Sequence, residues 1–426
     1  ISIAPPLGIS FVLNSASLFF VLLFTLLMTL FSFYYLFHRK TDTYEAETKF
    51  FILINMLLAA AIGLVLSSDI FNIYVFFEIA GISAYILSAY KKTPSALEAG
   101  LKYLLTGAVA SVFLVFAIAL IYINIGSLNL AVIAQSFETL PYNSKLLISI
   151  LLLVGFGFKV EIFPLNFWVT DVYQGSSALV NALFSGIVVK AYLFVFFHIL
   201  YLFLPSAEFS VFLIYLGAVS MLIAEIAALR QTNLKRIFAY SSLGQVALLF
   251  TAFAMQNADA IQAALFIVFS HSVAKFIIFL ALASIEKEHK SMHIDTLKAL
   301  DSPFLRAIMI IAMLSLLGIP LFAGFIGKFL ALKSFAVGGM FTVLALIIIG
   351  SLIEAVYYFK LTGFMFSKGE KREPLKIALR QKTVFALLAF SLILIGIAPM
   401  LISGFLLDAA TVMLDSKSYV IMLIRG

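Results

Sequence analysis

Four lysines sit where lipid would exclude them. Lys159, Lys190, Lys275 and Lys328 each lie well inside a long apolar segment. A lysine at the centre of a membrane helix costs about 2.5–3.5 kcal/mol on insertion scales, so four without partners cost on the order of 10–14 kcal/mol. Snorkelling relieves a lysine near a helix end, but it is a poor account of all four. The same interiors hold Glu78, Glu225, Glu354, His198 and His271, with Asp69, Glu161 and Asp259 near helix breaks or ends. Acids and bases alternating through apolar segments are the material of a proton path. Plainer roles compete residue by residue. Lys328 could snorkel at a helix end, Lys190 and Lys275 could tie helices, and His271 could be a hydrogen-bonded packing histidine. Glu225 reads as structural, near a helix end, and His198 as an ordinary interior histidine.

The elements that must position these groups follow from composition. A chain of 426 residues would normally make about three soluble domains. Here 63 % of residues are hydrophobic, 12 % are charged, and the mean hydropathy is +1.13. Too little polar surface remains to cover a soluble particle. The chain reads as an all-α polytopic membrane protein, which excludes a soluble enzyme, a nucleic-acid partner and a disordered scaffold. Cysteine is absent, which removes disulfides, thiolate nucleophiles and iron–sulfur clusters. No cleavable leader pattern stands at the start.

A membrane helix needs about 20 apolar residues. About twelve segments qualify, at roughly 16–37, 50–67, 70–90, 101–124, 146–163, 177–204, 211–229, 237–255, 261–285, 306–335, 340–366 and 383–405. Threading them alternately through a bilayer puts 20 of the 28 Lys and Arg residues on one side and three or four on the other. The positive-inside rule makes the basic side cytoplasmic, with both termini outside a cell membrane. The formal charge of +7 is therefore a topology signal.

The lysines also mark a repeat. Gly155-Phe156-Gly157-Phe158-Lys159 and Gly324-Phe325-Ile326-Gly327-Lys328 each place Lys four residues after a Gly-Phe pair, with Pro164 and Pro320 close by. Each falls in the fourth span of a five-span block. Five is odd, so the second block would lie inverted in the membrane, as in transporters built from inverted repeats with broken helices. The chain divides into an N-terminal helix (1–49), a first five-helix repeat (50–204), a second, inverted repeat (205–366) and a C-terminal helix and tail (367–426).

At these residues the chain resembles the antiporter-like subunits of respiratory complex I, Mrp-type cation/proton antiporters and energy-converting membrane hydrogenases and sulfur reductases. The resemblance is carried by Asp69-Ile-Phe-Asn-Ile-Tyr-Val-Phe-Phe-Glu78, Gly157-Phe-Lys159 through Pro164 and Trp168, Leu229-Arg230-Gln231-Thr-Asn-Leu-Lys235-Arg236 through Ser242, His271-Ser-Val-Ala-Lys275, and Gly318-Ile-Pro320 through Lys328. They cover most of the chain in family order. The resemblance implies that the first span matches the family's third. It implies that Glu78 and Lys159 form the ion pair of a first half-channel, that Lys190 leads toward the centre, and that His271 bridges to Lys328. A static ion pair joining two helices is the competing role for Glu78 and Lys159. The chain departs from the family at Pro164-Leu-Asn166-Phe-Trp168-Val-Thr-Asp171-Val, where the usual histidine and second proline are missing. That favours an Mrp-like or hydrogenase-type relative.

The resulting expectation is an ion-translocating subunit, for H+ or Na+ or both, working with other membrane subunits in lipid. Its path residues are Glu78, Lys159, Lys190, His271, Lys275 and Lys328, with Asp69 and Glu354 as accessories. A self-sufficient antiporter and a non-transporting anchor are the alternatives. No redox cofactor motif appears, so electron chemistry belongs to partners. His289 and His293 are four apart beside Glu286 and Glu288, a spacing that suits a metal, but the segment reads as a solvated loop.

Overall fold

The computed structural model describes residues 9–38, 44–203, 206–289, 291–367, 373–375 and 377–425. Of the cations counted on the basic side, Arg39, Lys40, Lys290, Lys368, Lys371, Arg372 and Lys376 lie outside the described residues.

The first helix, α1 (Ser15–His38), precedes a unit of α2 (Tyr44–Leu66), α3 (Ile70–Ala89), α4 (Pro94–Ile125), the short α5 (Leu130–Phe137), α6 (Tyr142–Val160), α7 (Val169–Gly175), α8 (Ala178–Leu183) and α9 (Val189–Leu202). A π turn, Phe184–Val188, joins α8 to α9. The second unit is α10 (Ala207–Leu229), α11 (Leu234–Ala254), α12 (Ala258–Glu288), α13 (Pro303–Leu317), α14 (Ala323–Val337) and α15 (Phe341–Phe366). Then come α16 (Leu379–Ile397), α17 (Met400–Leu414) and α18 (Ser416–Arg425). Eleven helices among the described residues are long and apolar enough to cross a membrane. The expected tenth span, 306–335, is a broken helix made of α13 and α14, each too short alone.

The two units pack alike. In each, the broken helix lies against the third helix: α6 and α7 on α4, α13 and α14 on α12. In each, the last helix returns to the first, α9 to α2 and α15 to α10. The glycines of the repeated motif explain the close approach. A Cβ at Gly155 would meet Leu114 N at 3.1 Å on α4, and one at Gly327 would meet Ile267 N at 2.9 Å on α12. Only a missing side chain lets those backbones meet, and each brings its lysine to the centre.

Helix ends carry the expected chemistry. Asp69 Oδ1 accepts the amides of Phe71 and Asn72, Thr93 caps α4, Asn233 caps α11 and Asn257 caps α12. Windows of the α8–α9 span, α11 and α12 are 94 % buried, against 33–56 % for the other spans. Helices apolar all round belong in the interior, and these three form the centre of the protein. The expected last span to residue 405 is corrected: α16 stops at Ile397, and Pro399 starts the separate α17. Pro lacks the amide that would continue the ladder.

Candidate functional site

The second unit builds its site from a break. α13 ends at Gly318, in the left-handed conformation (φ +78°), where a Cβ would also meet Lys328 Cδ at 2.8 Å. Ending a helix frees its last carbonyls. Leu317 O accepts from Lys328 Nζ at 3.4 Å, and Leu316 O accepts from Gln245 Nε2 at 3.2 Å. Lys328 Nζ then lies 2.7 Å from Glu354 Oε2, and Gln245 Nε2 donates to both Glu354 oxygens, at 2.8 and 2.9 Å. Glu354 is fully buried. This charge pair is the partner the Lys328 ammonium requires, and it is not a snorkelling arrangement.

A row of polar contacts leads from it through the buried middle. Tyr358 lies one turn from Glu354 on α15 and shares a hydrogen bond with Ser241 at 2.5 Å. Lys275 Nζ donates to Ser241 Oγ at 2.6 Å and to Phe238 O at 3.0 Å. His271 lies one turn from Lys275 on α12, and its Nδ1 is 2.5 Å from Lys190 Nζ. Lys190 Nζ also donates to Ser185 O, inside the π turn. Such turns recur at functional sites because the widened turn re-aims backbone groups. Lys190, His271 and Lys275 are fully buried. His271 therefore bridges to Lys190 and, through Lys275, Ser241, Tyr358 and Glu354, toward Lys328, which it does not touch. Glu225 accepts from Tyr357 Oη at 2.7 Å beside this row, fully buried against Gly244.

The first unit departs from expectation. Among the described residues no ion pair joins Glu78 to Lys159. Lys159 Nζ donates to Tyr85 Oη at 2.6 Å and stands over four rings: Tyr85 at 4.5 Å, Tyr103 at 4.8 Å, Phe77 at 5.4 Å and Tyr192 at 5.7 Å from ring centroids. Glu78 Oε1 is buried without a hydrogen-bond partner. The physical reason is position: Tyr85 leans back along α3 toward its own N-terminus, as helical side chains do, and reaches the ammonium first. Asp69, expected as an accessory, serves instead as the α3 cap. His198 stacks on Phe194 at 5.7 Å, as an interior histidine does.

Sequence reasoning missed Tyr85, Ser241, Gln245 and Tyr358, because hydroxyl and amide side chains at helical spacing carry no signal of their own. It also left Glu161 unassigned. Glu161 ends α6 with φ +64°, is buried, and has an unpartnered Oε2. It lies within electrostatic reach of Lys190 and Tyr103, between the Lys159 seat and the central row. Among the described residues no cluster of three or more His, Cys, Asp or Glu side chains stands where a metal would be held.

On the basic face, Asp171 pairs with Lys102 at 2.8 Å and Arg236 at 2.7 Å, and Glu286 pairs with Lys91 at 2.8 Å and Lys235 at 2.9 Å. These pairs bind both units together at that face.

Two five-helix units, each with a broken helix beside a buried lysine, define a multi-pass membrane protein of the antiporter-like type. The chain belongs to the NADH:quinone oxidoreductase/Mrp antiporter transmembrane family, which matches residues 67–354. NADH-quinone oxidoreductase subunit N 2 of Symbiobacterium thermophilum is 33 % identical over 334 residues, 73 % of this chain and 66 % of that one. The same-named subunit of Acidobacterium capsulatum is 31 % identical over 412 residues, 91 % of this chain and 82 % of that one. A chain of the membrane-bound sulfane sulfur reductase, an archaeal respiratory membrane complex, superposes with a TM-score of 0.92 at 32 % identity, covering 98 % of this chain and 86 % of that one. A chain of respiratory complex I from Thermus thermophilus gives 0.77 at 29 % identity, covering 93 % and 87 %. A chain of the Mrp complex from Dietzia sp. gives 0.89 at 20 % identity, covering 99 % and 88 %, a likeness of fold.

Proposed function

We propose that this chain is an ion-translocating subunit of a multi-subunit respiratory membrane assembly, moving H+ or Na+ across the membrane. The observation that carries the reading is the row Lys190–His271–Lys275–Ser241–Tyr358–Glu354–Lys328, in which every step is a hydrogen bond, an ion pair or one helical turn. A buried salt bridge is weak evidence for stability, and embedded charges in lipid are costly, so a continuous row is better explained by transport than by anchoring. Lys159 is the entry group of the first unit, and Lys190, His271, Lys275 and Lys328 carry charge onward, with Glu354 as the counter-charge of Lys328. Glu78 is the carboxylate available to Lys159 when the two approach. The division 1–49, 50–204, 205–366 and 367–426 follows the two repeats, and the basic face is cytoplasmic, with both termini outside a plasma membrane.

The partners are other membrane subunits and the translocated ion. Electron chemistry belongs to those partners, since the relatives are parts of a quinone oxidoreductase and a sulfane sulfur reductase. Purification from native membranes tests the assembly reading. The chain is expected to travel with redox subunits, whereas a lone chain that exchanges ions across proteoliposomes would contradict it. Co-purification with Mrp-type proteins alone would make it an Mrp subunit.

A further inference from the structure

Glu78, Gly81 and Tyr85 occupy one face of α3, at spacings of three and four residues. Between the carboxylate and the tyrosine there is no side chain. A Cβ at Gly81 would lie 2.7 Å from Tyr85 Oη and 3.4 Å from Lys159 Nζ, and one at Gly107 on α4 would lie 3.0 Å from the same Nζ. The Tyr85 hydroxyl therefore stands level with Gly81, three residues from Glu78, or about 4.5 Å along the helix axis. A lysine has four rotatable side-chain bonds, enough to cover that distance without moving the backbone.

We propose that Lys159 has two seats joined by the glycine lane: the Glu78 carboxylate, and an aromatic seat made by Tyr85 Oη with the faces of Tyr85, Tyr103 and Phe77. Tyr85 is a positioning residue for the translocation reaction, holding the ammonium away from its counter-charge. In the carboxylate seat the ammonium faces a full negative charge. In the aromatic seat it meets a hydroxyl dipole and ring quadrupoles, which hold a cation without neutralising it. The present structure has the aromatic seat filled and the Glu78 Oε1 acceptor unpartnered, which is what one seat of such a pair looks like. Tyr103 is held by Trp168 stacked on it at 4.3 Å, so the seat is rigid from the broken-helix side as well.

The inference rests on the reading of Lys159 as a translocation group. Its test uses the complete complex in proteoliposomes, measuring ions moved per redox turnover as a function of pH for Tyr85→Phe, Gly81→Ala, the double variant and Lys159→Ala. Tyr85→Phe keeps the ring and removes the acceptor. It is expected to lower the ratio by about threefold or more, the scale of one hydrogen bond, and to shift the pH profile while assembly and uncoupled turnover stay at parent values. Gly81→Ala alone also lowers the ratio. The double variant matches Tyr85→Phe rather than compounding it, because the added methyl's nearest collision is with the hydroxyl that variant lacks. Tyr85→Phe at the parent ratio and profile, with Lys159→Ala inactive, overturns the two-seat proposal alone. A parent ratio in Lys159→Ala overturns the underlying reading of Lys159. If Gly81→Ala does not assemble, Tyr85→Phe decides the question by itself.

Discussion

Replacing both members of the Lys328–Glu354 pair separates holding from carrying. The pair spans 2.7 Å in a site where Glu354 is fully buried and Lys328 nearly so. Removing one partner leaves the other charge uncompensated, which costs about 3–5 kcal/mol for a buried pair. Lys328→Met leaves the Glu354 carboxylate with only the Gln245 amide, and Glu354→Gln leaves the Lys328 ammonium with only the Leu317 carbonyl. One kcal/mol moves a melting midpoint by about 2–4 °C in chains of 150–250 residues and by less in longer ones, so each single variant should lose roughly 5 °C. Lys328→Met with Glu354→Gln removes both charges and keeps acceptors for Gln245. A neutral pair of similar volume is close to energetically neutral. The double variant should therefore regain most of the lost midpoint. Ion translocation, measured with a pH-sensitive dye in proteoliposomes of the complex, should be lost in all three. A double variant that melts at the parent temperature and still translocates at the parent rate would show that the pair only ties α14 to α15, and the transport reasoning fails there.

Other residues give independent outcomes. His271→Ala removes the Nδ1 partner of Lys190 and should abolish translocation while the complex still assembles, checked by native gel and flux together. Tyr358→Phe breaks the Ser241 link and should slow translocation without a midpoint change above about 1 kcal/mol, the scale of one hydrogen bond. Glu161→Gln keeps the shape of an unpartnered side chain, so its expected signature is slower flux at unchanged stability. Gly327→Ala inserts a methyl 2.9 Å from the α12 backbone and should cost about 1–3 kcal/mol by overpacking, read as a lower melting midpoint.

Much of this was legible in the sequence because lipid makes charge expensive. Lys159, Lys190, Lys275 and Lys328 stand out against apolar neighbours, and all four prove buried and partnered in the structure. The Gly-Phe pattern before Lys159 and Lys328 points to two equivalent breaks, and the structure gives it a cause in the close approach of α6 to α4 and of α14 to α12. Partner choice was not legible. Whether Lys159 meets Glu78 or Tyr85 depends on side-chain lean within one turn of α3, which a linear sequence does not encode. The same is true of Gln245, which resembles any interior amide until the α13 break turns Leu316 O toward it. Asp69 read as a path acid because an acid at a helix break looks alike whether it carries a proton or caps a helix, and only the two amides it accepts decide. The end of the chain was misread at Pro399, where hydropathy continues although the helix stops.

The central claim is that the buried lysines move charge. Its most direct test is the number of ions translocated per redox turnover in the reconstituted complex carrying Lys159→Ala. The account predicts an assembled complex that turns over with the ratio reduced by at least the share carried through this subunit. An unchanged ratio in a fully assembled Lys159→Ala complex would contradict it.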